Sequence, residues 1–216
     1  MDTGVLLEEK FHWIWKKENP VPREEANEYT YAEILARNEY REVYTDVKYK
    51  QPVTMGISFN YNLDDKWSLT SGVTYTILSS ELRSGSESYY YISEQILHNV
   101  GVPLGINYNI WKNKKILVYL SGGGLVEKNV SGKLTTDYVV DNKLKSSQKD
   151  KISIDQLQWS VNASMGVQYR LSPKIGLYAE PGVSYYFKNG GKVETIYKEK
   201  PLNLSLKFGL HFSLSK

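Results

Sequence analysis

From Gln51 onward, apolar and polar residues alternate with a period of two. Val53, Met55, Ile57, Phe59 and Tyr61 oppose Thr54, Gly56, Ser58 and Asn60. Trp67, Leu69, Ser71, Val73, Tyr75 and Ile77 oppose Ser68, Thr70, Gly72, Thr74 and Thr76. Successive side chains point to opposite faces of a strand, so the pattern predicts strands with chemically opposite faces. It recurs in a long strand over about Tyr91 to Ile110, from Ile116 to about Val130, over Leu157–Tyr169 and Leu177–Phe187, and over Leu202–Leu214. Residues 1–49 do not share it. There, Val5–Trp15 is the candidate for a further strand. Pro22 followed by Arg23, Glu24, Glu25 and Ala26 favours a short helix within about 22–40.

The connections between these strands alternate in length. Residues 62–66, 111–114 and 171–174 are short turns, whereas 79–90, 131–152 and 188–200 are longer polar stretches expected to be loops. Short turns at one rim and long loops at the other are the mark of an up-and-down antiparallel barrel. The predicted fold is all-β, with a barrel domain over 50–216 and an N-terminal segment over 1–49. An even count of about eight strands is expected, with the first at 5–15 unless this chain lacks it.

Alternation does not say which face meets water. The polar face does: over 54–60, 68–76, 99–107, 117–121, 158–168, 176–186 and 203–213, taking every second residue, only Glu180 and Lys207 carry formal charge. A water-facing sheet would carry many lysines and glutamates. Small polar residues and glycines, with room left for Tyr119, Tyr178 and Tyr186, suit a narrow filled interior. The apolar face then points outward into lipid, and the barrel is transmembrane. Tyr61, Trp67, Tyr75, Tyr108, Trp159, Tyr169, Tyr185 and Phe187 lie on that face, several near strand ends where interface aromatics sit. The alternative is a soluble lipocalin-like barrel whose apolar face lines a ligand cavity.

Composition adds a few limits. The 216 residues fit one domain, and the absence of cysteine removes disulfides and thiolate metal sites. A net charge of +3, without a basic helix, argues against nucleic acid. No apolar run reaches the length of about 20 residues that a spanning helix needs. Met1-Asp2-Thr3-Gly4 does not open a secretory signal, so an exported form is expected to be a mature or trimmed one.

Gln51-Pro52-Val53-Thr54-Met55-Gly56, Gly101-Val102-Pro103-Leu104-Gly105-Ile106-Asn107-Tyr108, Tyr119-Leu120-Ser121-Gly122-Gly123-Gly124 and Tyr178-Ala179-Glu180-Pro181-Gly182-Val183-Ser184-Tyr185-Tyr186-Phe187 resemble the outer-membrane β-barrel domain of Bacteroidota, the porin-like or PorT-like family. The resemblance covers residues 50–214. It implies an outer-membrane barrel of a Gram-negative bacterium, with short periplasmic turns, long extracellular loops and periplasmic termini. It carries no catalytic set. The family name alone raises a role as an accessory to secretion across the outer membrane.

Symmetric closure of the last hairpin sets Glu180 opposite Lys207, which predicts an ion pair inside the barrel with Tyr178, Tyr186 and His211 as neighbours. A structural plug that satisfies buried polar groups is the expected role. Pro103 and Pro181 predict a bulge or kink in the wall. Gly122–Gly124 fails the phosphate-loop pattern and is expected to be a strand bulge. His12, His98 and His211 are scattered, no Ser/His/Asp set is recognisable, and no metal, cofactor or catalytic residue is predicted. An acyl-chain enzyme would need a nucleophile and base at the rim, which the spacing does not supply. The expected partners are outer-membrane lipid and, through the long loops near 16–45, 79–90, 131–152 and 188–200, an envelope protein or surface polysaccharide. Oligomeric state is left open.

Overall fold

The computed structural model describes residues 25–191 and 193–214. A helix, α1 (Glu25–Asn38), precedes nine strands: β1 (Tyr44–Tyr49), β2 (Val53–Asn62), β3 (Trp67–Gly85), β4 (Tyr89–Lys112), β5 (Ile116–Val140), β6 (Lys143–Ile152), β7 (Leu157–Arg170), β8 (Ile175–Tyr186) and β9 (Leu202–Leu214). A one-turn helix, α2 (Ile196–Glu199), interrupts the β8–β9 connection. The expected strand at 5–15, His12 and Pro22 lie outside the described residues.

Seven of the nine strands close on themselves in the order β2, β3, β4, β5, β7, β8, β9 and back to β2. Every pair in this ring is antiparallel except the last: β9 runs parallel to β2, from Val53 opposite Leu206 to Tyr61 opposite Leu214. The expectation of an even ring is therefore corrected. Among the described residues, β2 and β9 bond directly, and no further strand stands between them. Gly56 and Gly209 face each other in this seam, and a Cβ on Gly209 would come within 1.8 Å of the Gly56 carbonyl oxygen. The close parallel approach needs a bare backbone there.

The three short turns share one device. Asp64 Oδ1 accepts from the backbone N–H groups of Lys66 and Trp67, each at 2.7 Å. Asn113 Oδ1 does the same for Lys115 and Ile116, at 2.8 and 2.7 Å. Ser172 Oγ serves Lys174 and Ile175, at 3.3 and 3.1 Å. A short side-chain acceptor that bonds the chain two and three residues on holds a tight turn without another strand's help.

The opposite rim departs from expectation. Residues 79–90 and 131–152 are not loops: β3, β4 and β5 run on past the ring, and β6 folds back along β5. The β5–β6 reversal is a two-residue turn, Asp141-Asn142, with φ of 52° and 58°. Asp and Asn tolerate this left-handed region, which matches the twist of the flanking strands. With β1 added beside β3, the extension is an open five-stranded sheet in the order β1, β3, β4, β5, β6. α1 lies against it. Ile34 is buried among Leu82, Tyr89, Tyr91, Tyr138 and Val140, and Asn38 Nδ2 donates to the Tyr89 carbonyl at 2.8 Å. Burial of this apolar face, rather than Ser, Gly and Lys composition, decides that the segments are strands.

At Pro103 and Pro181 the register does not shift, so the expected bulge is not found; each proline instead leaves a gap in one ladder. The β3–β4 ladder skips from Ser71–Leu104 to Thr74–Gly101 beside Pro103, and the β7–β8 ladder from Ser164–Gly182 to Val167–Ala179 beside Pro181. Proline has no N–H to give the ladder. Gly122–Gly124 is not a bulge, because register runs through it unbroken on both sides. A Cβ on Gly123 would meet the Leu104 carbonyl oxygen at 2.4 Å, so the glycine instead serves close approach of β4. The bulge in β5 lies further on, where Asn99 pairs with Asn129 and His98 with Ser131.

Candidate functional site

Burial sorts the two faces of the ring. Val53, Met55, Ile57, Phe59 and Tyr61 of β2 are exposed on the outside, as are Trp159, Val161, Met165, Val167 and Tyr169 of β7. Leu104 and Leu204, 67% and 69% exposed, stand fully clear of the wall. The inside is polar and buried: Thr54, Ser58, Asn60, Thr74, Thr76, Asn107, Gln158, Ser164, Gln168 and Asn203 all face it. This is the inverse of a soluble barrel, in which apolar side chains would fill the lumen.

The eight aromatics expected at interfaces fall near the two rims of the outer belt. Tyr61, Trp67, Tyr108 and Tyr169 gather at the short-turn end, where Trp67 and Tyr108 are register partners with ring centroids 4.8 Å apart. Tyr75, Trp159, Tyr185 and Phe187 lie toward the extension, with Tyr185 and Phe187 edge to face at 5.4 Å. Tyr75 turns its hydroxyl to His98 Nδ1 at 2.6 Å.

Inside the ring, Glu180 and Lys207 are register partners on β8 and β9. Their side chains do not form the expected ion pair. Glu180 accepts from the Tyr119 hydroxyl at 2.6 Å and from Ser164 Oγ at 3.4 Å, while Lys207 Nζ donates to Asn162 Oδ1 at 2.8 Å. Each charge reaches across the lumen to neighbours that can satisfy its lone pairs or protons. Tyr178 stacks on His211 at 3.9 Å, and His211 Nδ1 meets Gln168 Oε1 at 3.0 Å. Tyr186 stacks instead on Tyr197 of α2, at 3.6 Å, towards the extension. The expected cluster is thus three groups: Glu180, Tyr178 and His211 joined through Tyr119, Lys207 on Asn162, and Tyr186 with the α2 segment.

Sequence reasoning missed Glu127. It lies on the inner face of β5, 1% exposed, with the Thr76 and Tyr197 hydroxyls beside its carboxylate. Beside it is a void of about 20 Å³, lined in part by Asn99, Gln158, Thr195 and Tyr197. That is room for one water with polar partners. Carrying the inward parity of Tyr119 and Ser121 on through Gly123 and Leu125 would have reached Glu127.

At the short-turn end a second cavity, of about 300 Å³, lies among Asn60, Asn107, Tyr119 and Gln168, with Lys112, Arg170 and Lys174 also in its lining. Among the described residues, no three His, Asp or Glu side chains converge as a metal site would require. Outside the ring, the Asp64 carboxyl is held below its ordinary range by the Trp67 and Lys66 N–H groups. Burial pushes the Tyr49 hydroxyl of β1 up to about 12.

A closed sheet with an apolar outside and a hydrogen-bonded polar inside is the construction of an outer-membrane barrel. The sequence matches the family described as outer membrane protein beta-barrel domain over residues 28–212. The chain belongs to this family. The match takes in most of α1 and all of the closed ring but the last two residues of β9, and so extends well to the N-terminal side of the first alternating strand. None of the curated proteins or solved structures compared matches the chain. Among the described residues, no helix is long and apolar enough to cross a membrane.

Proposed function

We propose that this protein is a small transmembrane barrel of the outer membrane of a Gram-negative bacterium, of the Bacteroidota porin-like or PorT-like kind. The inverted ring carries the reading: apolar side chains stand exposed outside, while charged and amide side chains are buried inside. Short turns face the periplasm and the five-stranded extension stands outside the cell. The interior is plugged. Tyr119, Glu180, Lys207 and His211 fill the middle, and Tyr197 of α2 covers the end towards the extension, so no solute crosses freely. The protein is not an enzyme. Its work is structural, or lies in binding an envelope protein or surface polysaccharide through the extension.

The test is purification with and without micelles, followed by boiled and unboiled samples on a denaturing gel. A detergent requirement with faster migration of the unboiled form is expected. A monodisperse, detergent-free protein would sink the reading and return attention to a soluble carrier.

A further inference from the structure

The outer face of β5 changes chemistry within a few residues of the belt. Val118, Leu120 and Val126 lie on the outer face in the ring, Lys128 follows, and after the bulge the outward positions are Ser131, Lys133, Thr135 and Asp137. On β6 the outward positions are Lys145, Ser147, Lys149 and Lys151, all exposed. Register places Lys133 directly opposite Lys151, with Lys149 opposite Thr135 one step further on. Like charges directly opposed on one face of a sheet repel.

Neighbouring lysines do have acids. Lys128 pairs with Asp155 at 3.9 Å and Lys50 with Glu94 at 4.0 Å. Among the described residues, no ion pair is formed by Lys133, Lys149 or Lys151. Asp150, between two of them in sequence, is turned to the other face and buried. The three ammonium groups therefore stand without an ion-pair partner just beyond the outer apolar belt, on a face whose nearest outward acids are Asp137, one step past Thr135, and Glu94, opposite Thr135 and already paired with Lys50.

We propose that Lys133, Lys149 and Lys151 form a binding site for the phosphate-bearing headgroups of anionic lipid in the leaflet around the extension. The inference rests on the reading of the ring as membrane-spanning, which sets the height of the cluster. Headgroup phosphates lie next to the hydrocarbon layer, and the charge complementarity is direct: the anion relieves the Lys133–Lys151 repulsion and each lysine near a charged surface adds attraction. The rival role is protection of β6, an edge strand bonded to β5 alone, since lysines also keep edge strands from pairing with other chains.

The experiment inserts the full chain into phosphatidylcholine vesicles with or without phosphatidic acid and follows unfolding by loss of the fast gel band. Phosphatidic acid is expected to raise the midpoint by about 3 °C or more, and added salt to erase the rise. The triple change Lys133→Gln, Lys149→Gln, Lys151→Gln abolishes the rise, whereas Lys114→Gln with Lys115→Gln at the other rim leaves it intact. Unchanged lipid preference in the triple variant overturns the site. Self-association of that variant with the rise retained assigns the lysines to edge protection instead. An equal rise from inorganic phosphate on vesicles lacking phosphatidic acid would assign the effect to soluble anion and also overturn the proposal. Failure of the wild-type chain to insert defeats the membrane reading and the site together; insertion with no lipid preference defeats the site alone.

Discussion

The ring and the extension are built from the same strands with opposite chemistry. In β3 the inward positions are Ser68, Thr70, Gly72, Thr74 and Thr76, then Leu78 and Leu82, with no change of parity. In β4 the inward Asn107, Gly105 and Gly101 give way in the same manner to Leu97, Tyr91 and Tyr89. Outside, the exchange is reversed: Val73 and Val102 are replaced by Arg83 and Glu94. Backbone geometry is continuous across the junction, so a strand's register says nothing about its surroundings. What the outer face touches decides which side must be apolar. In the extension water takes the charged side, and the apolar side needs α1 to cover it. In the ring the polar side has no outlet to bulk water through the wall, and Glu180, Lys207 and His211 find their partners across the lumen.

The largest effect that separates the regions is expected from Leu97→Ala. Leu97 is 1% exposed, packed with Leu78 and Leu134 at the base of the extension. The loss should be about 2–5 kcal/mol, seen as faster proteolysis or hydrogen exchange of β6 and α1, with the fast gel band of the ring retained. Ile57→Arg comes next. An outward arginine in mid-belt should cost about 2–4 kcal/mol of stability in lipid. Glu81→Arg, on the outer face of the extension, should leave chemical denaturation midpoints nearly unchanged. Equal effects at the two positions would erase the distinction between the outer faces.

Within the ring, Tyr119→Phe removes the hydroxyl that donates to Glu180 and should lower stability by about 1.5–3 kcal/mol, the range for a hydrogen bond to a charged group. The same denaturation curves measure it, and an unaltered midpoint would mean that Ser164 alone satisfies the carboxylate. The smallest change is Asp64→Ala, which frees one short turn. Because the folded carboxyl titrates below its ordinary range, its contribution is present above the unfolded value and lost as pH falls through the folded one. The gap between wild type and variant should therefore be small near neutral pH and close in acid. A gap that widens on acidification would reverse the assignment.

Much of the ring was legible because alternation and the near absence of charge on the polar face come from one cause, a wall between unlike media. Val53–Tyr61 and Leu202–Leu214 declare both strand and sidedness. The extension was not legible in the same way. Glu81, Leu82, Arg83 and Ser84 alternate too, but Ser, Gly and Lys make such a stretch look like a solvated loop until α1 supplies its apolar partner. The Glu180–Lys207 register follows from hairpin symmetry. Their actual partners, Tyr119 and Asn162, come from β5 and β7, and contacts across a lumen leave no spacing to read. Glu127 escaped because the parity was not carried through to the bulge at Asn129. The parallel seam has no local signature at all.

That seam has a consequence for how the molecule is made. It joins the first strand of the ring to the last, so the contact that seals the wall is among the most distant in sequence, and the entropy of closing so long a loop is met only at the end. Until Leu202–Leu214 is in place, β2 and β8 each present a bare row of N–H and C=O groups that hydrocarbon cannot satisfy. The half-built wall is therefore a stranger to the bilayer, and arrival of β9 acts as the latch that makes insertion all-or-none.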